Sequence, residues 1–397
     1  MCRLARTVVV MSACGVMVEP RPRIMSRRLA LFFGAMLGGA SSFYLLLSVV
    51  PLYATAGGAG GVGAGLTTGA LMLATVAAEL VAPRLIARYG YRATLAAGLV
   101  LLGAPAIVFA YASSLPAIVA VCLVRGLGFA VTVVCGSALV AALVPAERRG
   151  EGLGLYGIVI GVSSIVALPL GIALAGRYGF PPVFWAGALT ALVGAAIVAA
   201  LPLGAPPAEQ SVGVLAGLRT PRLLRPSVVF SATAMAAGVL VTFLSLAVTR
   251  ASGGLAAAAL LFQAVTSTLF RWWAGRYGDR RGPARLLIPS VVASGAGMLA
   301  LVWIDHPAAV MGGMALFGAG FGVAQNASIA MMFDRVAPSG YGTVSAVWNL
   351  AYDAGLGIGA AVFGVVATQT GYPIAFLLTG VVVLAALGPA IRDRVAA

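Results

Sequence analysis

Proton exchange is the chemistry for which this sequence has material. Of its ten carboxylates, Glu19, Glu147, Glu151, Glu209 and Asp393 fall in connectors between apolar runs. Asp305 lies at the outer edge of those runs, and Asp279 and Asp334 lie at the inner edge. Only Glu79 and Asp353 remain inside apolar runs, where a carboxyl holds or releases a proton according to what it faces. Arg125 and Arg271 are likewise interior to such runs. Other chemistries lack their residues. His306 is the single histidine, and Cys2, Cys14, Cys122 and Cys135 show neither C-x-x-C nor His-paired spacing, so no metal site or disulfide framework is expected. No P-loop is present, the carboxylates do not cluster, and an enzyme is disfavoured.

The elements that must position these groups follow from composition. The chain is 61% hydrophobic and 9% charged, against about 25% charged in an ordinary soluble domain, which excludes a soluble globular enzyme. Apolar runs between Gly, Pro and Arg punctuation predict twelve helices near 29–53, 62–83, 93–112, 116–143, 154–177, 183–204, 226–249, 255–275, 286–305, 308–334, 342–368 and 373–391. A hydrocarbon core of ~30 Å takes about 20 residues per span, which fits the chain length. In lipid the backbone must satisfy itself, and runs this long do so as helices. All 25 basic residues are arginine; 21 fall on the side of the N-terminus and only Arg177 and Arg250 on the other. The positive-inside rule then places both termini in the cytoplasm of a bacterial-type inner membrane. The net charge of +15 is topological: the arginines punctuate gaps instead of lining one face, and no nucleic-acid partner is expected.

The longest connector, 205–225, divides the spans six and six. Across it an offset of 192 residues superimposes Arg84 on Arg276, Arg88 on Arg280, Gly90 on Gly282, Phe129 on Phe321, Pro181 on Pro373 and Phe184 on Phe376. An all-α membrane protein is expected, with twelve transmembrane helices as two parallel six-helix repeats around a central cavity. Its parts would be a cytoplasmic N-terminal tail 1–28, a first half 29–204, a linker 205–225, a second half 226–391 and a cytoplasmic tail 392–397. Thr7 to Val18 is apolar but too short to span; it reads as a signal h-region or, on the preferred reading, Met25-Ser26-Arg27-Arg28 is the true start and 1–24 an over-called extension or a disordered tail. Spans 3, 6, 9 and 12 carry few polar residues (Thr94, Thr190, Ser290, Ser294, Thr379), so they should be peripheral and the other eight should line the centre.

Between spans 8 and 9 stands Gly275-Arg276-Tyr277-Gly278-Asp279-Arg280-Arg281-Gly282-Pro283-Ala284-Arg285. It resembles the G-x-x-x-D-R-x-G loop signature of the major facilitator superfamily. The first-half copy keeps Arg84, Arg88 and Gly90 but has Pro83 and Ala87 in place of the glycine and aspartate. Val50-Pro51-Leu52-Tyr53 in span 1 and Arg125-Gly126-Leu127-Gly128-Phe129 in span 4 resemble motifs of the family's drug-efflux branch. Pro169-Leu170-Gly171 in span 5 is similar to its antiporter motif, with Leu168 and Ser164 where glycines are expected. The stretch from Trp348 to Gly357 looks like the corresponding helix of bacterial efflux permeases.

The resemblance implies secondary active transport by alternating access, with protons and a small-molecule substrate as partners, a lipid bilayer around a monomer, and no cofactor beyond the proton gradient. Export of a small, largely apolar compound by proton antiport is the favoured reading. Proton-coupled uptake of a sugar or other metabolite is the alternative within transport, and a non-transporting membrane sensor the alternative outside it. Asp353, and after it Glu79, is the expected proton-coupling residue. Tyr44, Gln263, Gln325, Asn326, Trp348, Asn349 and Tyr352 are candidates for the substrate cavity. Arg125 could serve there or bond helix carbonyls, and could lie near Asp353. Pro51, Pro169 and Gly171 shape helices. Gating falls to Gly275, Asp279, Arg280, Gly282, Arg285, Asp334, Arg84, Arg88 and Gly90, with Glu79 and Arg271 as gating salt-bridge partners near the cytoplasmic mouth. Asp279 should cap the start of span 5 near Gly152, and Asp334 should pair with one of Arg276, Arg280, Arg281 and Arg285.

Overall fold

The computed structural model describes residues 24–203, 213–248 and 254–395. The tail to residue 23, Glu209 with the first part of the linker, Arg250 and the last two residues lie outside the described residues. The first half comprises α1 (Arg27–Ala54), α2 (Gly60–Glu79), α3 (Ala82–Gly103), α4 (Leu115–Leu143), α5 (Arg149–Tyr178) and α6 (Phe180–Ala200). A short α7 (Val214–Arg219) follows in the linker. The second half comprises α8 (Pro221–Ala247), α9 (Leu255–Arg281), α10 (Ala284–Ala300), α11 (Pro307–Asp334), α12 (Tyr341–Thr370) and α13 (Tyr372–Ala385), and ends in α14 (Leu387–Val395). Among the described residues, eleven helical stretches are long and apolar enough to cross a membrane; α2 takes the twelfth place.

The 192-residue offset is visible in the backbone itself. It carries Leu115 at the start of α4 to Pro307 at the start of α11, and Arg149 at the start of α5 to Tyr341 at the start of α12. Both ends of α5 map onto both ends of α12. Gly90 and Gly282, matched in sequence, both adopt positive φ, +77° and +87°; each ends the helical part of a motif loop where a side chain would strain the backbone. Gly179 and Gly371 repeat the correspondence at +80° and +79°, each followed by a proline-containing first turn. The fold is two parallel six-helix repeats around a central cavity.

Helix boundaries depart from the sequence expectation where capping outweighs hydropathy. Span 7 begins at Pro221, ahead of residue 226, because Thr220 and Pro221 form a ready helix start; Arg222 and Arg225 therefore ride on a helix. The last span breaks at Ala386 into α14, whose Asp393 is buried and pairs with Arg335 at 2.9 Å.

In lipid, helices associate through close packing at small residues. Cβ atoms added at Gly126 and Gly318 would strike the backbone of Leu71 and Gln263, respectively, and these four residues are again matched by the offset. Helices α6, α10 and α13 pack chiefly on their own halves, as expected for peripheral spans. Helix α3 differs: Pro83 and Ile86 at its start lie against Gly342 of α12, because the motif loop at its start continues as helix beneath the other half.

Candidate functional site

Two polar sites join the halves, one deep in the bundle and one at its arginine-rich end. In the deep site Glu79, the last residue of α2, is fully buried and neither of its oxygens has a hydrogen-bond partner of good geometry. The polar group it faces is the Asp353 carboxyl on α12. The two residues that sequence offered as successive candidates for proton coupling thus form one pair, one member from each half. Among the described residues no arginine is paired with them: Arg84 is exposed, and Arg271 is bonded to Gln325. The expectation of a gating salt bridge through Glu79 and Arg271 is corrected accordingly.

Arg271 of α9 donates from Nη1 to Gln325 Oε1 at 2.8 Å, and Gln325 in turn donates to Ser267 Oγ at 3.3 Å. Its guanidinium lies 5.7 Å from the Trp348 ring and presses on Gly157 of α5, where a Cβ would collide with it. Tyr44, Tyr156 and Tyr352 stand within electrostatic reach of it, and Tyr44 and Tyr352 also reach Asp353. Behind these stands an aromatic wall. The rings of Phe230 and Trp348 stack at 4.3 Å and 8°, and Tyr352 lies 5.8 Å from Phe230 at 10°. Phe321 joins the group at 6.2 Å from Phe230. Trp348 is fixed in its rotamer by donating to Ser328 Oγ at 2.9 Å, and Asn349 bonds back to the Ser345 carbonyl at 2.8 Å. Tyr44, Tyr352, Asp353, Gln263 and Gln325 keep part of their surface accessible.

Arg125 is placed away from this centre. It is 1% exposed, donating from Nε to the Leu102 carbonyl at 3.0 Å and from Nη2 to the Ser42 carbonyl at 3.2 Å, with its plane over Phe109. Its donors are used inside the first half, tying α4 to α3 and α1; Asp353 faces Glu79, not Arg125. The helix-shaping residues lie nearer the opposite face. Gly171 admits the Leu45 carbonyl of α1, Pro169 sits exposed within α5, and Pro51 lies inside α1. Two residues beyond Pro51, Tyr53 donates to the Ala112 carbonyl at 3.0 Å.

At the arginine-rich end the halves are latched together. Asp279 accepts the N–H groups of Gly150 and Glu151, each at 2.7 Å. A helix leaves its first N–H groups unpaired and positive, so this carboxylate caps α5 from the opposite half, at the two residues just before Gly152. Asp334 pairs with Arg149 at 2.8 Å. That corrects the expectation of a loop arginine: α5 begins directly beneath α11, whereas Arg280 and Arg285 are exposed. Arg149 also donates to the Tyr341 hydroxyl at 2.7 Å, so residues equivalent under the repeat meet at the pseudo-symmetry axis. Asn326 is another correction: 1% exposed, it donates to the Gly150 carbonyl at 3.0 Å and belongs to the latch, not the cavity. Ser137 and Ser345 bond across the halves here too. Gly275 lies so near the Gly150 carbonyl that a Cβ would overlap it. In the pseudo-symmetric interface Ala87 stands in place of Asp279, and the residue at the start of α12, Gly340, has no side chain with which to cap it. Arg88 stacks on its neighbour Tyr89.

Sequence reasoning missed Arg149, Tyr341 and Tyr156. The 192 offset linking Arg149 to Tyr341 was available, as was the spacing Gly150, Gly154, Gly157, Gly161, which marks a helix face approached closely by another. Those glycines meet Gly275, Trp272, Arg271 and Thr268 of α9 in turn. Beyond them Val162 and Val166 are exposed. Six hydrogen bonds join the halves within the latch, so this end of the bundle is closed.

The sequence profile of the Major Facilitator Superfamily matches residues 31–249 and 227–394. The chain belongs to the Major Facilitator Superfamily. It is therefore a multi-pass membrane transporter. A chloramphenicol resistance protein of Streptomyces lividans is 31% identical over 288 residues, covering 68% of this chain and 71% of that protein. Two solved superfamily structures share the fold at a TM-score of 0.78. The human organic anion transporter MFSD10 (TETRAN) is 18% identical, covering 92% of this chain and 99% of its own. The Escherichia coli fucose:proton symporter FucP is 15% identical, covering 92% and 98%.

Proposed function

We propose that this superfamily member exports a small, largely apolar compound in exchange for protons across a bacterial cytoplasmic membrane, as a monomer without a resident cofactor. The observation that carries the reading is the carboxyl pair of Glu79 and Asp353, one from each half, in a site where no arginine among the described residues forms an ion pair with either. Two carboxylates that face each other in a low-dielectric interior repel when both are charged, so the empty, fully ionised carrier resists closing the arginine-rich end. A proton on the pair relieves that repulsion. A substrate that seats against Tyr44 and Tyr352 and donates a hydrogen bond to Asp353 lessens it as well, and since either suffices, the two exchange. The aromatic wall of Phe230, Trp348 and Tyr352 suits an apolar or aromatic cargo. The resistance phenotype named for the Streptomyces relative supports export, with chloramphenicol as the first compound to try.

The test is flux in proteoliposomes with and without an imposed pH gradient, using chloramphenicol and other small apolar compounds. Substrate moving against the proton flow supports exchange. Proton and substrate moving together, with a sugar preferred, would establish the uptake reading instead, and binding without flux would point to a sensor.

A further inference from the structure

We propose that the arginine-rich end of α9 carries a binding site for the headgroup of an anionic phospholipid of the membrane leaflet on that side. Trp272, Trp273, Arg276, Tyr277, Arg280 and Arg281 line a groove of about 290 Å³ there. None of these residues belongs to the deep acid pair or to the aromatic wall.

Three features make the groove a headgroup site instead of a solvated charge run. First, its guanidiniums are held chiefly by rings, with one long contact to an acid. Arg276 stacks 5.1 Å from the Trp272 ring; Arg281 lies 5.1 Å from Tyr277 and donates to its hydroxyl at 3.3 Å. Arg280 has no hydrogen-bond or ion-pair partner among the described residues, and Glu151 approaches Arg276 only to 3.7 Å. The groove therefore keeps a net positive charge with forked donors free for phosphate. Second, the aromatic rings form a continuous surface: Tyr277 lies 5.2 Å from Trp273, and Trp273 lies 5.9 Å from Phe270. Tryptophan and tyrosine at this depth mark the headgroup level. Third, the exposed residues Phe270, Leu269 and Phe262 continue the surface along α9 toward the membrane centre, where an acyl chain would lie. Charge complementarity selects an anionic lipid over a zwitterionic one, since each arginine near the surface contributes to that preference. The 192 offset puts Leu80, Val81, Arg84, Leu85, Arg88 and Tyr89 at the equivalent positions in the first half. That copy has no tryptophan, so the site belongs to α9 alone.

The experiment uses the full-length protein with Trp273 as its single tryptophan, the others being phenylalanine, reconstituted in bilayers containing brominated phosphatidylglycerol or brominated phosphatidylcholine. Brominated phosphatidylglycerol should quench Trp273 at a mole fraction several-fold lower than brominated phosphatidylcholine. Arg280→Gln and Arg281→Gln should each reduce that preference, by roughly fivefold per arginine removed. A variant retaining only Trp303, which lies at the opposite face, should show no preference. If the single-tryptophan forms do not fold, thermal stability of the unaltered protein in detergent replaces quenching. Added phosphatidylglycerol should then raise it more than phosphatidylcholine does, and Arg280→Gln should lessen the difference. Equal quenching or stabilisation by the two lipids would overturn the proposal. So would displacement of phosphatidylglycerol by millimolar inorganic phosphate, which would make the groove a site for free anions.

Discussion

Asp279 offers the sharpest perturbation of the latch. Its two oxygens accept the Gly150 and Glu151 N–H groups at 2.7 Å each, and both bonds cross between the halves, so they exist only while the arginine-rich end is shut. A hydrogen bond to a charged acceptor contributes about 1.5–3 kcal/mol, and a carboxylate at a helix N-terminus adds about 0.3–1 kcal/mol. Asp279→Asn keeps one carbonyl oxygen but turns an amide toward the second N–H and loses the charge. The closed state should weaken by about 2 kcal/mol or more, roughly thirtyfold in the closed-to-open ratio; Asp279→Ala should weaken it further. Ala330, buried in the latch groove beside Asp279 and Asn326, provides the reporter. A cysteine at position 330, on a background without other cysteines, should react with a hydrophilic thiol reagent many times faster in either variant. Asp334→Asn serves as contrast: its bond to Arg149 is nearly half exposed on the acid side, and such pairs contribute about 0–1 kcal/mol, so labelling should change little. Unchanged labelling in both Asp279 variants would refute the latch.

Three further outcomes follow from the same geometry. Gly275→Ala places a methyl group where the Gly150 carbonyl sits; it should hold the arginine-rich end open, read as fast labelling of the same cysteine with transport lost, and slow labelling would show that α9 can shift to make room. Arg125→Ala should lower melting temperature in detergent sharply, because it orphans the Leu102 and Ser42 carbonyls; Arg125→Lys should recover only part, since an ammonium does not fork between them, and a substrate-affinity change at unaltered stability would argue for a cavity role. Glu79→Gln and Asp353→Asn should each abolish flux driven by a pH gradient while leaving substrate binding measurable by equilibrium titration. Gradient-driven flux persisting in either variant would remove that residue from proton coupling.

The sequence by itself determined the membrane class, the twelve spans and the repeat, because these rest on local and additive properties. Hydropathy counts residues regardless of partner, and a constant offset survives whatever the helices do. Asp279 as the cap of α5 was legible for the same reason: a lone carboxylate in a glycine-bracketed loop has a stereotyped role beside a helix start, and its partners Gly150 and Glu151 lie within two residues of Gly152. What the sequence left open were choices among partners, which depend on which helices touch. Arg125 carried the same residue type whether it served the cavity or the carbonyls of Leu102 and Ser42; only the crossing of α4 over α3 and α1 decided it. Asp334 had four arginines on nearby loops, yet Arg149 reached it because α5 starts under α11. Asn326 read as a cavity residue from its depth in span 10, but its azimuth turned it to the Gly150 carbonyl. Glu79 and Asp353 are 274 positions apart in the chain, one in each repeat, and nothing in either segment announces the other. Their meeting is a property of α2 lying against α12, a contact between halves that periodicity within one helix cannot encode.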